Sequence, residues 1–139
     1  MRAALNAGFR VEAVPGPCAV VAALTASGLP ADEFHFIGFL PHKSGQRRNR
    51  LAALKDMPGT LVLYESPYRI EKLLAELQDL CPDRPVVLAR ELTKKFEEFL
   101  RGTPAELLEV VRKRPRKGEF VLLVGSLRDD SGREPQSLL

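Results

Sequence analysis

One layout constrains the fold of this chain most: a short apolar run, typical of a buried strand, passes directly into charged and hydroxyl side chains. The clearest example is the apolar run at residues 86–89, which is followed at residues 90–98 by arginine, glutamate, threonine and lysine. Two further places repeat this layout: residues 60–63 before the polar run 64–69, and residues 10–14 before the Gly/Pro-rich run 15–19. Because loops held by a rigid scaffold carry much of protein chemistry, three such strand ends predict one shared cleft.

Strand and helix patterns alternate along the chain, which predicts an α/β domain with a mixed sheet of about five strands and helices on its faces. The strands of this sheet are expected at residues 34–40, 61–64, 86–90, 96–100 and 120–124, and a further short strand at 10–14. The run at 120–124 is continuously apolar, as in a central strand buried on both faces. Helices are expected at residues 3–7, 17–27, 46–55, 67–80 and 103–112.

Two of these helices begin with capping signals. Ser66 followed by Pro67 predicts an N-cap and a proline in the first helical turn. Thr103 stands three residues before Glu106, which is the spacing of a capping box. Both signals are local, so they predict where a helix starts without reference to the rest of the fold.

The composition is that of one globular domain. The chain has 139 residues, of which 45% are hydrophobic and 28% are charged, enough to bury a core. No apolar stretch approaches the roughly 18 residues of a membrane span, so a cytoplasmic location is expected. Residues 126–139 mix Asp, Ser, Gly, Arg and Pro without periodicity, and disorder is expected there.

Several chemistries find no support in the sequence. Residues 38–44 resemble a phosphate-binding loop, but His42 stands where the glycine before the lysine is required, and Pro41 removes a backbone donor. His35 and His42 have no carboxylate or cysteine at ligand spacing, so no metal site is expected. The chain has no Gly-x-Ser-x-Gly elbow and no Gly-x-Gly-x-x-Gly motif. The groups that remain are backbone groups, hydroxyls, carboxylates and cations. They favour group transfer that is catalysed by positioning of the reactants.

A cluster of basic residues, at positions 43, 47, 48 and 50, favours a partner that carries phosphate. The net charge of +3 is modest, but Lys43, Arg47, Arg48 and Arg50 lie close together after Pro41. Neutralising phosphates releases counterions and so promotes binding to nucleic acid. Because the cluster is expected on a loop with little structural need for it, RNA is the expected partner.

Six motifs in register resemble the C-terminal half of the ribosomal RNA small subunit methyltransferase I family, in the tetrapyrrole methylase superfamily. They are Pro-Gly-Pro-Cys-Ala at 15–19, Gly-Phe-Leu-Pro-His-Lys at 38–43, Tyr-Glu-Ser-Pro-Tyr-Arg at 64–69, Leu-Ala-Arg-Glu-Leu-Thr-Lys at 88–94, Gly-Thr at 102–103 and Lys-Gly-Glu-Phe-Val at 117–121. The chain departs from the family pattern at Cys18, where serine is common, and at Tyr68, where histidine is common.

The resemblance implies a domain organisation and an activity. Residues 1–15 would be the last helix and strand of an N-terminal domain that is otherwise missing, residues 16–125 the C-terminal methyltransferase domain, and residues 126–139 the tail. The activity implied is 2′-O-methylation of a cytidine ribose in the decoding region of small-subunit ribosomal RNA, with S-adenosylmethionine held between the two domains. With one wall of that cleft, the chain alone is expected to show little or no activity. Leu5, Phe9, Val11 and Val14 would be left exposed, so self-association as a homodimer is also expected.

Site residues follow from the same resemblance. The cofactor side would be formed by Cys18, Ala19, Val20, Leu63 and Tyr64, acting through backbone groups and packing. Contacts with RNA phosphates are expected from Lys43, Arg47, Arg69 and Lys94. A ribose hydroxyl is a weak nucleophile that benefits from a base or hydrogen-bond acceptor; the candidates are Glu65, Glu91 and Lys94, each of which could equally be a salt-bridge partner at a strand end.

Two other functions remain open from the sequence. One is methylation of a corrin or porphyrin, against which the basic residues at 43–50 count, since a flat macrocycle favours an apolar slot. The other is a non-catalytic binding or dimerisation module, because only part of a cofactor site is encoded.

Overall fold

A computed structural model describes residues 1–115 and 117–127, and it contains a five-stranded mixed sheet. The strands follow the order β1-β2-β5-β3-β4 across the sheet. β1 pairs in parallel with β2, whereas β2–β5, β5–β3 and β3–β4 are antiparallel pairs. The α/β prediction is therefore confirmed. The strand bounds are β1 Phe34–Phe39, β2 Thr60–Glu65, β3 Val86–Arg90, β4 Glu98–Gly102 and β5 Phe120–Val124.

Five helices accompany the sheet in the described part of the chain. They are α1 Arg2–Asn6, α2 Ala19–Ser27, α3 Ser44–Leu54, α4 Ile70–Leu80 and α5 Pro104–Lys113. The capping box at α5 is confirmed: the Thr103 side chain accepts from the Glu106 backbone N–H, and the Glu106 side chain accepts from the Thr103 backbone N–H. α2 ends at Gly28, whose φ of 79° is left-handed and suits glycine.

The two faces of the sheet bury separate apolar clusters. On one face, α3, α4 and α5 pack over alternate residues of the central strands, such as Leu63, Leu88 and Leu122. On the other face, α2 packs over Val62 and Leu123 and the residues beside them. β5 lies between β2 and β3 and is buried along its whole length, which confirms the reading of its continuous apolar run.

One predicted strand is absent and several predicted boundaries were wrong; α2 begins at Ala19 and α3 at Ser44, each two residues from its expected start. Residues 10–14 form no strand: they have no backbone hydrogen-bond partner among the described residues, and an alternating pattern alone does not make a strand without a neighbour. β4 begins two residues later than expected. α4 begins at Ile70, because residues 66–69 form a separate turn in which the Ser66 carbonyl accepts from Arg69 N and the Ser66 N–H donates to the Glu65 carboxylate.

The expected tail falls largely outside the described residues, since positions 128–139 are not among them. The exposed apolar side chains expected near the start of the chain are confirmed at Leu5, Phe9, Val11 and Val14.

At the end of the sheet where β2 and β3 begin, one buried cation, Arg84, connects several elements. Arg84 is 1% exposed, and its guanidinium donates to the carbonyls of Lys55, Met57, Gly59, Val124 and Gly125. Burial lowers the pKa of Arg84. The side chain thus ties the end of α3 and the start of β2 to the end of β5.

The opposite end of the sheet gathers the predicted site. Because β1 is parallel to β2, and β2 and β3 both run antiparallel to β5, the carboxyl ends of β1, β2 and β3 lie together with the start of β5. Two of the three strand ends predicted to share a cleft, those of β2 and β3, therefore lie at the same end of the sheet, with the start of β5 between them. The third segment, residues 15–19, reaches this edge through the start of α2.

Candidate functional site

A cavity of about 490 Å³ lies at this end of the sheet, on the side covered by α2. Its wall is formed by residues of α2, β1, β2 and β5 and the segments that join them: Ala19, Phe39, Tyr64, Glu65, Ser66, Pro67, Glu119, Phe120 and Val121. Tyr64 makes edge-to-face ring contacts with Phe36 and Phe39, at centroid distances of 5.1 Å and 5.7 Å. Such a wall suits a flat ring with a few polar groups.

Tyr64 lines this cavity, and a phenol can donate a hydrogen bond. Burial raises the pKa of Tyr64, and the neighbouring Cys18 adds to the shift. The phenol therefore stays protonated at neutral pH. It can donate a hydrogen bond to a bound polar group, but it cannot act as a base.

The predicted cofactor residues take different positions around the cavity. Ala19 and Tyr64 line it directly. Cys18 is exposed beside it as the N-cap of α2. Val20 and Leu63 are buried in the clusters on opposite faces of the sheet, so only their backbone groups and packing could serve a ligand.

Glu65 is engaged within the protein rather than turned to solvent. Its side chain is 1% exposed. Oε1 accepts from the Ser66 N–H at 2.7 Å, and Oε2 lies 3.2 Å from Nη2 of Arg69. A carboxylate held in this way positions the turn after β2 and is poorly placed to take a proton from a substrate.

Arg69 holds the loop that follows β1. Its Nη2 donates to the carbonyls of Leu40, at 2.9 Å, and Pro41, at 3.3 Å. Its Nη1 donates to Nδ1 of His42 at 3.0 Å. The Arg69 side chain is only 15% exposed, so this residue, from which contact with RNA phosphates was expected, is bound mainly to this loop and to Glu65.

Arg47 departs furthest from its predicted place. Its side chain is 4% exposed, and Nε and Nη2 each donate to the Glu76 carboxylate at 2.7 Å. The hydrogen bonds to Glu76 raise the pKa of Arg47, and Nη1 donates to the His42 carbonyl at 3.1 Å. The expectation that this part of the basic cluster lies on a loop was wrong, because α3 begins at Ser44 and turns Arg47 toward α4.

Lys43 and Lys94 are the predicted RNA contacts that remain accessible. Lys43 is exposed at the N-cap of α3. The Lys94 side chain is 53% exposed, and its Nζ lies 3.3 Å from Oε1 of Glu91 and 3.3 Å from Oε2 of Glu119. Hydrogen bonds to these two carboxylates raise the pKa of Lys94, so it remains a cation and does not act as a base.

Glu91 joins the end of β3 to the turn before β5. Its N–H donates to the Glu119 carbonyl at 3.1 Å, and its Oε1 accepts from the Glu119 N–H at 3.0 Å. These contacts, first the Glu119 N–H and then Lys94, lower the pKa of Glu91. Glu91 and Thr93 both have positive φ, at 51° and 63°, a conformation that costs energy for residues other than glycine and that recurs at functional sites.

Glu119 lines the cavity and was not singled out as a site residue by sequence reasoning. The available signal was local: a Gly-Glu pair directly before the most apolar strand of the chain, inside a motif that the resemblance had already marked. Gly118 has a φ of 100°, and a Cβ at that position would collide with the Glu91 carboxylate. The pair therefore forms a turn that only glycine permits.

Two broader properties complete the description. Among residues 1–115 and 117–127, no group of three or more His, Cys, Asp or Glu side chains could hold a metal ion. Across those same residues, no helix has the length and apolar character needed to cross a bilayer.

Comparison with known proteins relates this geometry to a family. The family model for Tetrapyrrole (Corrin/Porphyrin) Methylases matches residues 1–108. The chain is 50% identical over 128 residues to a Vibrio cholerae protein named Ribosomal RNA small subunit methyltransferase I, covering 89% of this chain and 44% of that protein. It is 46% identical over 121 residues to the protein of that name from Halalkalibacterium halodurans, covering 87% of this chain and 42% of that protein.

A solved structure shares the fold. The cobalamin biosynthetic enzyme cobalt precorrin-4 methyltransferase is 26% identical to the chain, with a TM-score of 0.60, over 87% of this chain and 54% of that one. The chain spans about half the length of the curated relatives that it matches.

Proposed function

This chain belongs to the tetrapyrrole (corrin/porphyrin) methylase family, and from that membership we propose that it forms part of a methyltransferase that uses S-adenosylmethionine to methylate small-subunit ribosomal RNA. The observation that carries the proposal is the identity of 46% and 50% with proteins named Ribosomal RNA small subunit methyltransferase I, over almost nine-tenths of this chain. The expected target is a cytidine 2′-hydroxyl. An enzyme of this kind would act in the cytoplasm.

The cavity fits a nucleoside-containing cofactor. Its volume of about 490 Å³ lies in the range of small-molecule sites, roughly 300–1,000 Å³. Phe39 and Tyr64 offer ring faces and edges to an adenine, and Ala19 brings backbone groups from the first turn of α2. When bound, S-adenosylmethionine supplies an electrophilic methyl group on a sulfonium.

The chain contributes binding and orientation in this proposal. Aromatic residues at the cavity exclude water from one side, and most of the acceleration of a methyl transfer can come from alignment of the reactants. Lys43 and Lys94 carry exposed charges at the same end of the sheet, where they would contact phosphates of the RNA. Arg47 and Arg69 act indirectly, since they fix residues 40–42 and hence the position of Lys43.

The rest of the active site would come from additional polypeptide. Relatives named as methyltransferases are about twice as long as this chain, and the cavity is bordered by exposed Phe39 and Glu119. We therefore expect a second wall from an N-terminal domain. The exposed apolar residues Leu5, Phe9 and Val14 support self-association as well, which light scattering at two protein concentrations would test.

Methylation of a corrin or porphyrin is the second candidate. It is favoured by the solved structure of similar fold, which is a methyltransferase of cobalamin biosynthesis, and by the exposed aromatic side chains on β1. Identity to that enzyme is 26%, well below the identity to the proteins named for ribosomal RNA. RNA is therefore the preferred substrate.

The decisive experiment measures transfer of a labelled methyl group from S-adenosylmethionine. This chain, and the chain extended to the length of its relatives, are each incubated with unmodified small ribosomal subunits or with a corrin precursor. Label in an alkali-resistant dinucleotide of the RNA is expected from the extended protein, because a 2′-O-methyl group blocks cleavage. Label only in the macrocycle would favour the second candidate. Failure of both proteins to bind the cofactor would refute both candidates.

A further inference from the structure

Glu119 stands at the rim of the cavity with its carboxylate turned outward. The side chain is 90% exposed and lines the same cavity as Tyr64 and Ser66. Oε2 lies 3.3 Å from Nζ of Lys94, and Oε1 has no partner among the described residues. One oxygen is thus held by a cation while the other remains available to a ligand.

The backbone beneath this carboxylate is fixed. Glu91 binds both the N–H and the carbonyl of Glu119, through its own side chain and its own N–H. Gly118 supplies the positive φ that this turn requires, and its missing Cβ leaves room for the Glu91 carboxylate. These contacts fix the backbone of residue 119 relative to the end of β3, so the side chain starts from a defined place at the cavity rim.

The other charged groups at this end of the sheet are poor proton acceptors. Glu65 is 1% exposed, its Oε1 accepts from the Ser66 N–H, and its Oε2 is paired with Arg69 without a hydrogen bond, so burial keeps it from a substrate. Glu91 accepts from the Glu119 N–H and from Lys94, and these contacts lower its pKa. Lys94 carries a proton already, because the adjoining carboxylates raise its pKa. Among the carboxylates of Glu65, Glu91 and Glu119, that of Glu119 is the most accessible to a substrate: the side chains are 1%, 19% and 90% exposed, respectively.

We propose that Glu119 is a catalytic residue that accepts the proton of the substrate hydroxyl, with Glu91 and Lys94 as positioning residues. This inference rests on the proposed methyltransferase function and identifies its proton acceptor. As the hydroxyl oxygen forms its bond to the methyl carbon, the carbon–sulfur bond breaks and its electron pair remains on sulfur. The hydroxyl proton passes to Oε1 of Glu119 and then to solvent, so no further reactant is needed.

The test compares Glu119→Gln with a matched control in the chain extended to the length of its relatives. Glu109→Gln is the control, because Glu109 is also an exposed glutamate whose Oε2 lies 3.3 Å from a lysine Nζ, but it lies on α5 outside the cavity lining. Three quantities are measured for each variant: the turnover rate with small-subunit RNA, the Kd for S-adenosylmethionine, and the Kd for an RNA oligonucleotide.

Glu119→Gln is expected to lower kcat by about 10²-fold or more, as loss of a general base does, with both Kd values within about twofold of the wild type. Glu119→Asp is expected to recover part of the rate. A second readout does not depend on turnover: replacing the target nucleotide by its 2′-deoxy form should weaken RNA binding to the wild type and to Glu109→Gln, but not to Glu119→Ala.

Other outcomes overturn the inference in distinguishable ways. A weaker Kd for S-adenosylmethionine with unchanged kcat would assign Glu119 to the cofactor instead. Unchanged kcat and both Kd values would show that Glu119 has no role, and the methyltransferase function would stand. An active wild type whose label never enters RNA would refute the hydroxyl substrate and this inference together.

Discussion

The two ends of the sheet use charged side chains differently. Where β2 and β3 begin, the guanidinium of Arg84 is buried and donates to five backbone carbonyls. Where these strands end, the charges of Lys94 and Glu119 are exposed and held by a strained turn. Both ends join β3 to β5, and both do so through charged side chains. At the first end every contact is internal to the protein. At the second, part of the hydrogen-bonding capacity is left for a ligand.

The difference teaches how this fold separates stability from function. A buried cation must have its donors satisfied, since an unpaired charge in the interior costs several kcal/mol. An exposed pair contributes little to stability, about 0–1 kcal/mol, and so can be arranged for chemistry. The strained residues Glu91 and Thr93 lie at the second end, where such conformations are expected to serve function.

Replacing Arg84 should have the largest effect on stability. Arg84→Met removes the donors to five carbonyls at the beginning of the sheet, and several of those carbonyls are buried. We expect the free energy of unfolding to fall by about 4 kcal/mol, measured by urea denaturation. The control is Arg48→Met, which breaks an exposed pair with Asp79 and should cost less than about 1 kcal/mol. Equal effects of the two variants would break the comparison.

A second variant tests Arg47, which was expected from the sequence to contact RNA but is buried in the structure. Arg47→Met leaves the Glu76 carboxylate buried without its partner, and we expect a loss of about 3 kcal/mol in the free energy of unfolding. The double variant Arg47→Met, Glu76→Leu should recover much of that loss, because an apolar pair avoids the desolvation of either charge. Lower RNA affinity without any change in stability would restore the original prediction.

Sequence patterns predicted the elements whose signals are local. The apolar run of β5 and the capping box before α5 lie within a few residues, and both were confirmed. The expected strand at 10–14 failed because a strand depends on a neighbour that its own sequence does not contain. The family resemblance was confirmed as well, since it rests on motifs whose order and spacing are visible in the chain.

The roles of individual charges were not visible in the same way. Arg47 meets Glu76 and Arg84 meets Gly125, partners that lie 29 and 41 positions away. Nothing in the basic cluster distinguishes Arg47, which turns inward, from Lys43, which stays exposed. Burial of a charge is decided by tertiary packing, so the sequence predicted where charged residues gather but not which of them remain available.

Lys43 tests the exposed end of the sheet, where charges are expected to bind RNA. Lys43→Ala removes an exposed charge at the site end of the sheet, so we expect unfolding to be unchanged while the RNA affinity falls. The slope of log K against log salt should decrease by about 0.7 to 0.9, as for one lost phosphate contact. Lys113→Ala, which removes an exposed lysine paired with Glu109 on α5, serves as the control. An unchanged slope for Lys43→Ala would remove this residue from the RNA surface.

The smallest effect is expected from the carboxylate of Glu91, and it should depend on pH. Its pKa is lowered in the folded protein, chiefly by the Glu119 N–H and then by Lys94, whereas in the unfolded chain it is about 4.3. A carboxylate with a lowered folded pKa stabilises the protein above its unfolded pKa, and that contribution is lost as pH falls through the folded value. Glu91→Gln should therefore be less stable than the wild type at pH 7, and the difference should shrink below about pH 4. Urea denaturation at both pH values checks this, with Glu109→Gln expected to change stability little at either. A difference in stability that stays constant with pH would contradict this prediction, because it would mean that the charge of Glu91 does not help to hold β3 to β5. The turn would then be held by its backbone geometry. The charge of Glu91 would matter only for positioning Lys94 and Glu119.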